Sequence, residues 1–157
     1  MLGKFSYLRL RFAFALISFL GVVGIIIIAL VAWYRIEHEH DFDKAFAVAF
    51  YWQPYIKYFS NTIFVFGLIS ALLLQYLHGK SIFFVYNFLL YAFMNNLNYF
   101  WLGGQIQQFN DEHFGAPNFG ISAVQGMAHL VWHLFITLSF GLACYGFYRL
   151  RLASVKS

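Results

Sequence analysis

Charged residues are scarce in this sequence. Of its 157 residues only 10% are Asp, Glu, Lys or Arg, whereas 62% are hydrophobic and 23% are Phe, Trp or Tyr. A water-soluble domain carries about 25% charged residues, because its surface has to be hydrated. The shortage excludes an ordinary soluble domain and predicts an integral membrane protein whose aromatic side chains contact acyl chains and headgroups.

Cysteine is nearly absent as well. The single cysteine, Cys144, excludes an internal disulfide framework, and its apolar surroundings in the sequence predict a small buried side chain.

The 10 basic residues outnumber the 6 acidic ones, but they flank apolar segments and form no patch. Nucleic acid is therefore not an expected partner. The expected partners are membrane lipid and, in one alternative, other membrane subunits.

Four apolar segments are long enough to cross a bilayer, which takes about 20 helical residues. They cover residues 12–34, 58–77, 82–101 and 121–148. The first is too long for a signal peptide and no small-residue cleavage site follows it, so we interpret it as a retained anchor. The turn "HGKS" (78–81) is so short that its flanking spans must be antiparallel neighbours. The expected fold is all-α, a single membrane domain over residues 1–157 that forms a four-transmembrane-helix bundle.

The basic residues are distributed unevenly across this predicted membrane domain. Seven of the ten lie before the first span, in the 78–81 turn or after the fourth span. The other three share the opposite side with all six carboxylates. The positive-inside rule then predicts a multi-pass protein with both termini in the cytoplasm.

An aromatic-rich stretch, residues 39–59, connects the first two spans. It predicts a short interfacial helix in the outer headgroup layer, capped by Asp41 or Asp43 and stopped or kinked by Pro54. The alternative is one long kinked span from Lys44 to His78. Residues 103–120, with glycines and a proline near their ends, are expected to form an outer loop.

Polar residues in the third span have a helical spacing. Asn87, Tyr91, Asn95 and Asn98 lie on one stripe, which should face the interior of the bundle. The asparagines either join helices by hydrogen bonds or, for Asn95 and Asn98, orient a nearby imidazole.

The string "GMAHLVWHLF" (126–135) places His129 and His133 four residues apart, so that both imidazoles project from one face of a helix. Such a pair supplies two ligands to a transition metal, zinc or copper, with little reorganisation. His113 is the best candidate for a third ligand, followed by Glu112, Asp111 or His40, which are expected on the same outer side.

Two other chemistries fit intramembrane histidines. A b-type haem with two axial histidines is less favoured, because the only other histidine within a span, His78, lies at the inner boundary. Stacked imidazoles are also sufficient for a proton or ion relay.

The string "HLVWHL" resembles the last membrane helix of the CREST superfamily of zinc-dependent membrane hydrolases, which includes the alkaline ceramidases. The resemblance covers about ten residues and rests on His129, Trp132 and His133. In that family the final histidine pair holds zinc with a third His, and with a Ser and an Asp from other helices. The resemblance therefore implies zinc. The chain departs from the family in its four predicted spans instead of seven, in lacking Ser-x-x-x-His, and in having no Asp or Glu within a span.

Two functions fit these patterns best, and a small transporter or channel is the remaining alternative. The first is a metal- or cofactor-binding membrane protein with a site at His129, His133 and His113. The second is a non-catalytic accessory subunit that packs into and stabilises a larger membrane complex. The sequence identifies no catalytic residue and leaves open whether the protein is an enzyme.

Overall fold

A computed structural model describes residues 7–38, 42–114 and 119–154, with side chains throughout except at 36, 42–53, 106–107, 109–110, 113–114 and 119–123. The protein is all-helical over these ranges, as predicted. The elements are α1 (Tyr7–Glu37), α2 (Phe42–His78), α3 (Ile82–Asn96), a π-helical segment (Leu97–Leu102), α4 (Gly103–Phe114) and α5 (Phe119–Ser154).

Three helices in the described part of the chain are long and apolar enough to cross a membrane. Their candidate spans are Tyr7–Arg35, Pro54–His78 and Val124–Ser154. The count is three and not the predicted four. The predicted third span, 82–101, is divided between α3, which has 15 residues, and the π segment, which has 6. Neither part alone has the roughly 20 residues that a span requires.

The two long connections also differ from expectation. The stretch expected to form a separate interfacial helix is the first part of α2, a 37-residue helix that contains Pro54. A proline inside a helix removes one backbone hydrogen bond. Here the helix continues past it, and Ile56 just beyond is completely buried in a cluster with Ile25 and Ala32 of α1. The expected loop at 103–120 contains the 12-residue helix α4.

Contacts at the helix ends fix the direction of each segment. At one end, called the basic end below, the Tyr7 ring lies 5.4 Å from the His78 ring, and Arg151 of α5 donates to the Tyr76 carbonyl at 3.2 Å. At the opposite end the rings of Trp33 and Trp101 are 6.5 Å apart. The segments α1, α2, α3 with the π segment, and α5 therefore alternate in direction.

The turn between α2 and α3 depends on a glycine. Gly79 has a φ of +66°, a left-handed conformation that favours glycine, and its N–H donates to the Gln75 carbonyl at 2.8 Å. The Ser81 hydroxyl donates to the Gln75 side-chain oxygen at 2.6 Å. These bonds end α2 and start α3 within three residues, which makes the two helices antiparallel neighbours.

Among the described residues the buried side chains form two clusters. The larger contains Leu10, Phe14, Phe64, Leu68, Ala71, Leu74, Phe83, Phe84, Tyr91 and Cys144, and the smaller contains Ile25, Ala32, Ile56, Met94 and Leu102. Cys144 is buried, as predicted. Outside these clusters most apolar side chains of α1 and α5 are exposed, as expected for helices that face acyl chains.

Candidate functional site

His133 is held in the core by contacts with α2, α3 and its own helix. It is 7% exposed, its ring stacks on Tyr91 of α3 with centroids 3.7 Å apart, and Phe64 of α2 meets it edge-on at 4.7 Å. Its Nδ1 lies 2.7 Å from the carbonyl oxygen of His129. Because a carbonyl oxygen only accepts, Nδ1 carries a proton, and in the neutral form of the ring the lone pair is therefore on Nε2.

His129 lies one turn earlier, beside the π segment. Its ring is 5.5 Å from the ring of Tyr99. The close approach of the two segments depends on Gly126, where a Cβ would lie 2.8 Å from the Tyr99 Cβ. Asn95 donates its side-chain amide to the Gly126 carbonyl at 3.0 Å. A short segment of α5 is thus anchored to α3 and the π segment directly before the histidine pair.

The asparagine stripe faces the bundle interior, as predicted. Asn87, Asn95 and Asn98 are 1%, 2% and 3% exposed. Asn87 donates to the Phe64 carbonyl of α2 at 3.1 Å, and its amide oxygen occupies the space that a side chain at Gly67 would fill. The side-chain oxygens of all three asparagines lack a hydrogen-bond donor within the described structure. Buried acceptors of this kind are costly unless water or a ligand supplies a donor.

If the histidine pair were purely structural, each imidazole would be expected to hydrogen-bond a partner on another helix, with Asn95 or Asn98 the nearest candidates, and the observed bonds differ from these. His133 bonds to a carbonyl of its own helix, and Asn95 bonds to Gly126 instead of an imidazole. The aromatic neighbours Phe64 and Tyr99 were not identified from the sequence. Tyr99 follows Asn95 by four residues, so extending the polar stripe by one turn would have found it.

The predicted third ligands do not approach His129 and His133 where the structure describes their side chains. Among the side chains that the structure describes, no three of His, Cys, Asp and Glu are close enough to hold a metal ion. Asp111 and Glu112, the acidic substitutes for the third ligand, therefore do not join the histidine pair, and Glu112 instead accepts from Gln108 at 3.1 Å. The backbone of His113 belongs to α4, but its side chain lies outside the described part of the chain, as does the whole of His40.

The remaining two histidines of the described ranges lie apart from the pair. His38 is exposed at the end of α1, where its Nδ1 lies 3.0 Å from the Tyr34 carbonyl. His78 lies beside Tyr7 at the basic end, whereas His129 lies beside the π segment towards the opposite end. This separation of His78 from the histidine pair is the one predicted from the sequence.

Comparison of the chain with models of protein families, with curated proteins and with solved structures gives no significant match. The resemblance of "HLVWHL" to the CREST superfamily is therefore not extended beyond the residues that suggested it.

Proposed function

We propose that the chain crosses the membrane four times, with both termini in the cytoplasm. The π segment follows α3 without a break, and the two together reach the length of a membrane span. Arg11, Lys80 and Arg151 belong to the basic end, whereas the six carboxylates lie within 37–43 and 111–112. This asymmetry supports the proposed orientation.

We further propose that His129 and His133 bind a transition metal, zinc or copper, near the outer half of the bundle. The observation that carries the proposal is the hydrogen bond from His133 Nδ1 to the His129 carbonyl at 2.7 Å. Histidines that ligate metals usually donate their other ring N–H to a carbonyl or carboxylate, which fixes the tautomer and the ring orientation. His133 is already in that state, and its Nε2 is the atom that would bind the ion.

The π segment also supports this location. Single π-helical turns within α-helices are frequent at functional sites, and this one carries Tyr99 beside His129. The buried Asn98 oxygen, which lacks a donor within the described structure, belongs to the same segment. It could accept a hydrogen bond from a water bound to the metal. His113 is the proposed third ligand, since α4 begins directly after the π segment and packs against α5.

Metal content measured on matched variants tests the proposal. The full chain is purified in detergent without chelator, and its zinc and copper are measured together with an optical spectrum. We expect about one metal per chain in the unchanged protein and little in His129→Gln or His133→Gln, because an amide is a poor ligand for these metals. His78→Gln is the matched control and should retain the metal. A metal-free protein, or full metal content in both variants, contradicts the proposal.

An accessory subunit of a larger membrane complex is the second candidate function. The observation that favours it is the exposure of α5, in whose most apolar stretch only 17% of residues are buried. Trp132 and Phe135 form a stacked pair there with centroids 6.1 Å apart, and they are 57% and 61% exposed. Large aromatic side chains of this kind are typical anchors of protein interfaces.

The two proposed functions predict different effects of substitutions at Trp132 and His133. If α5 docks on a partner subunit, a chain purified in mild detergent should elute with a second protein in fixed stoichiometry. Trp132→Ala should release that protein and leave the metal content unchanged. His133→Gln should lower the metal content and leave that protein bound. If the unchanged chain and the Trp132→Ala variant both elute without a second protein, the accessory-subunit function is contradicted.

A further inference from the structure

A group of basic side chains surrounds one aromatic ring at the basic end. The guanidinium carbon of Arg11 lies 5.3 Å from the centroid of the Tyr7 ring, and the Lys80 ammonium nitrogen lies 5.9 Å from the same centroid. The His78 ring contacts Tyr7 as well, at 5.4 Å. Two cations from separate elements, α1 and the α2–α3 turn, thus lie near the same aromatic ring.

Among the described side chains no carboxylate is found beside these cations. All six carboxylates of the sequence lie in residues 37–43 and 111–112. The described ones, Glu37, Asp111 and Glu112, follow Trp33 and Trp101, which lie at the opposite end of the bundle. Like charges at a membrane boundary repel each other unless an anion lies near them. The arrangement at Tyr7 is therefore suited to an anionic group from outside the chain.

An apolar groove begins at the same place. It has a volume of about 820 Å³ and runs between α1 and α3, with Leu8, Ala15 and Ser18 on one wall and Phe83 and Leu90 on the other. Arg11 is itself part of the lining. From Leu8 to Ser18 the groove follows α1 for about 15 Å, which is about half the thickness of the hydrocarbon core and so the depth of one leaflet.

We infer that this surface binds an anionic phospholipid. The headgroup phosphate lies between Arg11 and Lys80, and one acyl chain occupies the groove between α1 and α3. The groove explains why the ligand is a lipid and not a soluble anion, because a free phosphate would leave these apolar walls unfilled. The cations explain the preference for an anionic headgroup, since basic residues at a membrane surface attract such lipids.

Lipid binding to the full chain in detergent tests the inference. Dioleoyl phosphatidylglycerol, dioleoyl phosphatidylcholine or inorganic phosphate is titrated in, and bound ligand is counted by native mass spectrometry. We expect the phosphatidylglycerol to bind more tightly than phosphatidylcholine. Each of Arg11→Gln and Lys80→Gln should weaken its binding about fivefold, the contribution of one basic residue at an anionic surface. Arg149→Gln is the control, because Arg149 lies on α5 beside Tyr145 and outside the groove. It should bind lipid as the unchanged chain does.

A second substitution separates the lipid from a free anion. Ala15→Phe fills the groove without changing the charge, so it should weaken phosphatidylglycerol binding and leave both cations in place. If inorganic phosphate competes fully and Ala15→Phe has no effect, the site binds anions alone and the inference is wrong. Equal losses of phosphatidylglycerol binding in Arg149→Gln and Arg11→Gln would show that the lipid is attracted only by net charge. That result would also overturn the inference. Circular dichroism establishes that each variant folds, and Arg11→Lys, which keeps the charge, should retain most of the binding.

Discussion

The imidazole of His133 lies parallel to the phenol ring of Tyr91, with centroids 3.7 Å apart and planes inclined by 14°. The pair joins α5 to α3 inside the bundle, and Phe64 of α2 touches both rings, at 4.7 Å from His133 and 5.2 Å from Tyr91. Three helices therefore meet at one aromatic contact. The position of His133, and hence of any ligand it holds, depends on this packing.

Two substitutions of Tyr91 should distinguish what its ring and its hydroxyl each contribute to the free energy of unfolding. Tyr91→Ala should lower the free energy of unfolding by about 3–5 kcal/mol, because it removes a large buried side chain. Tyr91→Phe keeps the stacked ring and should cost less than about 1.5 kcal/mol. Unfolding followed by circular dichroism in detergent measures both. Equal losses in the two variants would show that the hydroxyl, and not the stack, is the main contribution.

Gly126→Ala should be destabilising although alanine favours helices. The added Cβ would lie 2.8 Å from the Cβ of Tyr99, so α5 must move away from the π segment. We expect a loss of about 1–3 kcal/mol, as for other overpacked sites. Gly146→Ala on the same helix is the control, since nothing lies within 4 Å of its Cβ. That variant should be unchanged or up to about 1 kcal/mol more stable.

Gly79→Ala should also be destabilising, for a different reason. A residue with a side chain at φ +66° is strained by about 1–2 kcal/mol, and the new Cβ would lie 2.7 Å from the Tyr148 ring. Gly104→Ala in α4 meets nothing within 4 Å and serves as the control. Thermal unfolding of the two variants in the same detergent compares them. A lower melting temperature for Gly104→Ala than for Gly79→Ala would contradict this account of the turn.

Asn95 and Asn98 should differ in their contribution to the free energy of unfolding. Asn95→Leu removes the interhelical bond to the Gly126 carbonyl and should cost about 0.6 kcal/mol, with an upper limit of about 1.7. In the metal-free protein Asn98→Leu removes an acceptor that has no donor within the described structure, so the free energy of unfolding should stay unchanged or rise. Chemical denaturation of both variants gives the comparison. A large loss in Asn98→Leu alone would indicate that bound water or a ligand satisfies this oxygen.

The proposed orientation predicts which end of the chain is accessible from outside the cell. In a Cys144→Ala background, a cysteine at exposed Gln108 should react with an impermeant maleimide added to intact cells. A cysteine at Ser154 should react only after the membrane is permeabilised. Both positions must be labelled in permeabilised cells as the control. The opposite pattern would mean that the basic end faces outward.

The inward-facing polar stripe beside the candidate site could be predicted from the sequence. The stripe through Asn87, Tyr91 and Asn95 was predicted to face the interior, and all three residues are buried. The spacing of His129 and His133 places both on one helix. The partners of these residues could not be predicted, because they depend on the rotation and crossing of helices that are far apart in the sequence. The aromatic environment of His133 and the bond from Asn95 to Gly126 therefore appear only in the tertiary structure.

Two errors in the predicted fold have local physical causes. Pro54 was expected to stop or kink a short interfacial helix, but α2 continues through it, which is closer to the alternative of one long helix up to His78. Ile56, just beyond the proline, is buried against α1. The third apolar segment was read as one uniform span, but its last turn is π-helical. Hydropathy does not distinguish an α-helical turn from a π-helical one, since both are set by backbone hydrogen bonding.

The sequence by itself determined that the protein is all-helical and suited to a membrane, because the length and apolarity of a segment are local properties. It also determined the tight turn at Gly79 and the separation of His78 from the histidine pair. The tertiary structure alone decided that His133 stacks on Tyr91, that Gly126 brings α5 against Tyr99, and that Arg11 and Lys80 meet around Tyr7. Each of these contacts joins residues from different helices, and only packing of the whole bundle selects which faces meet.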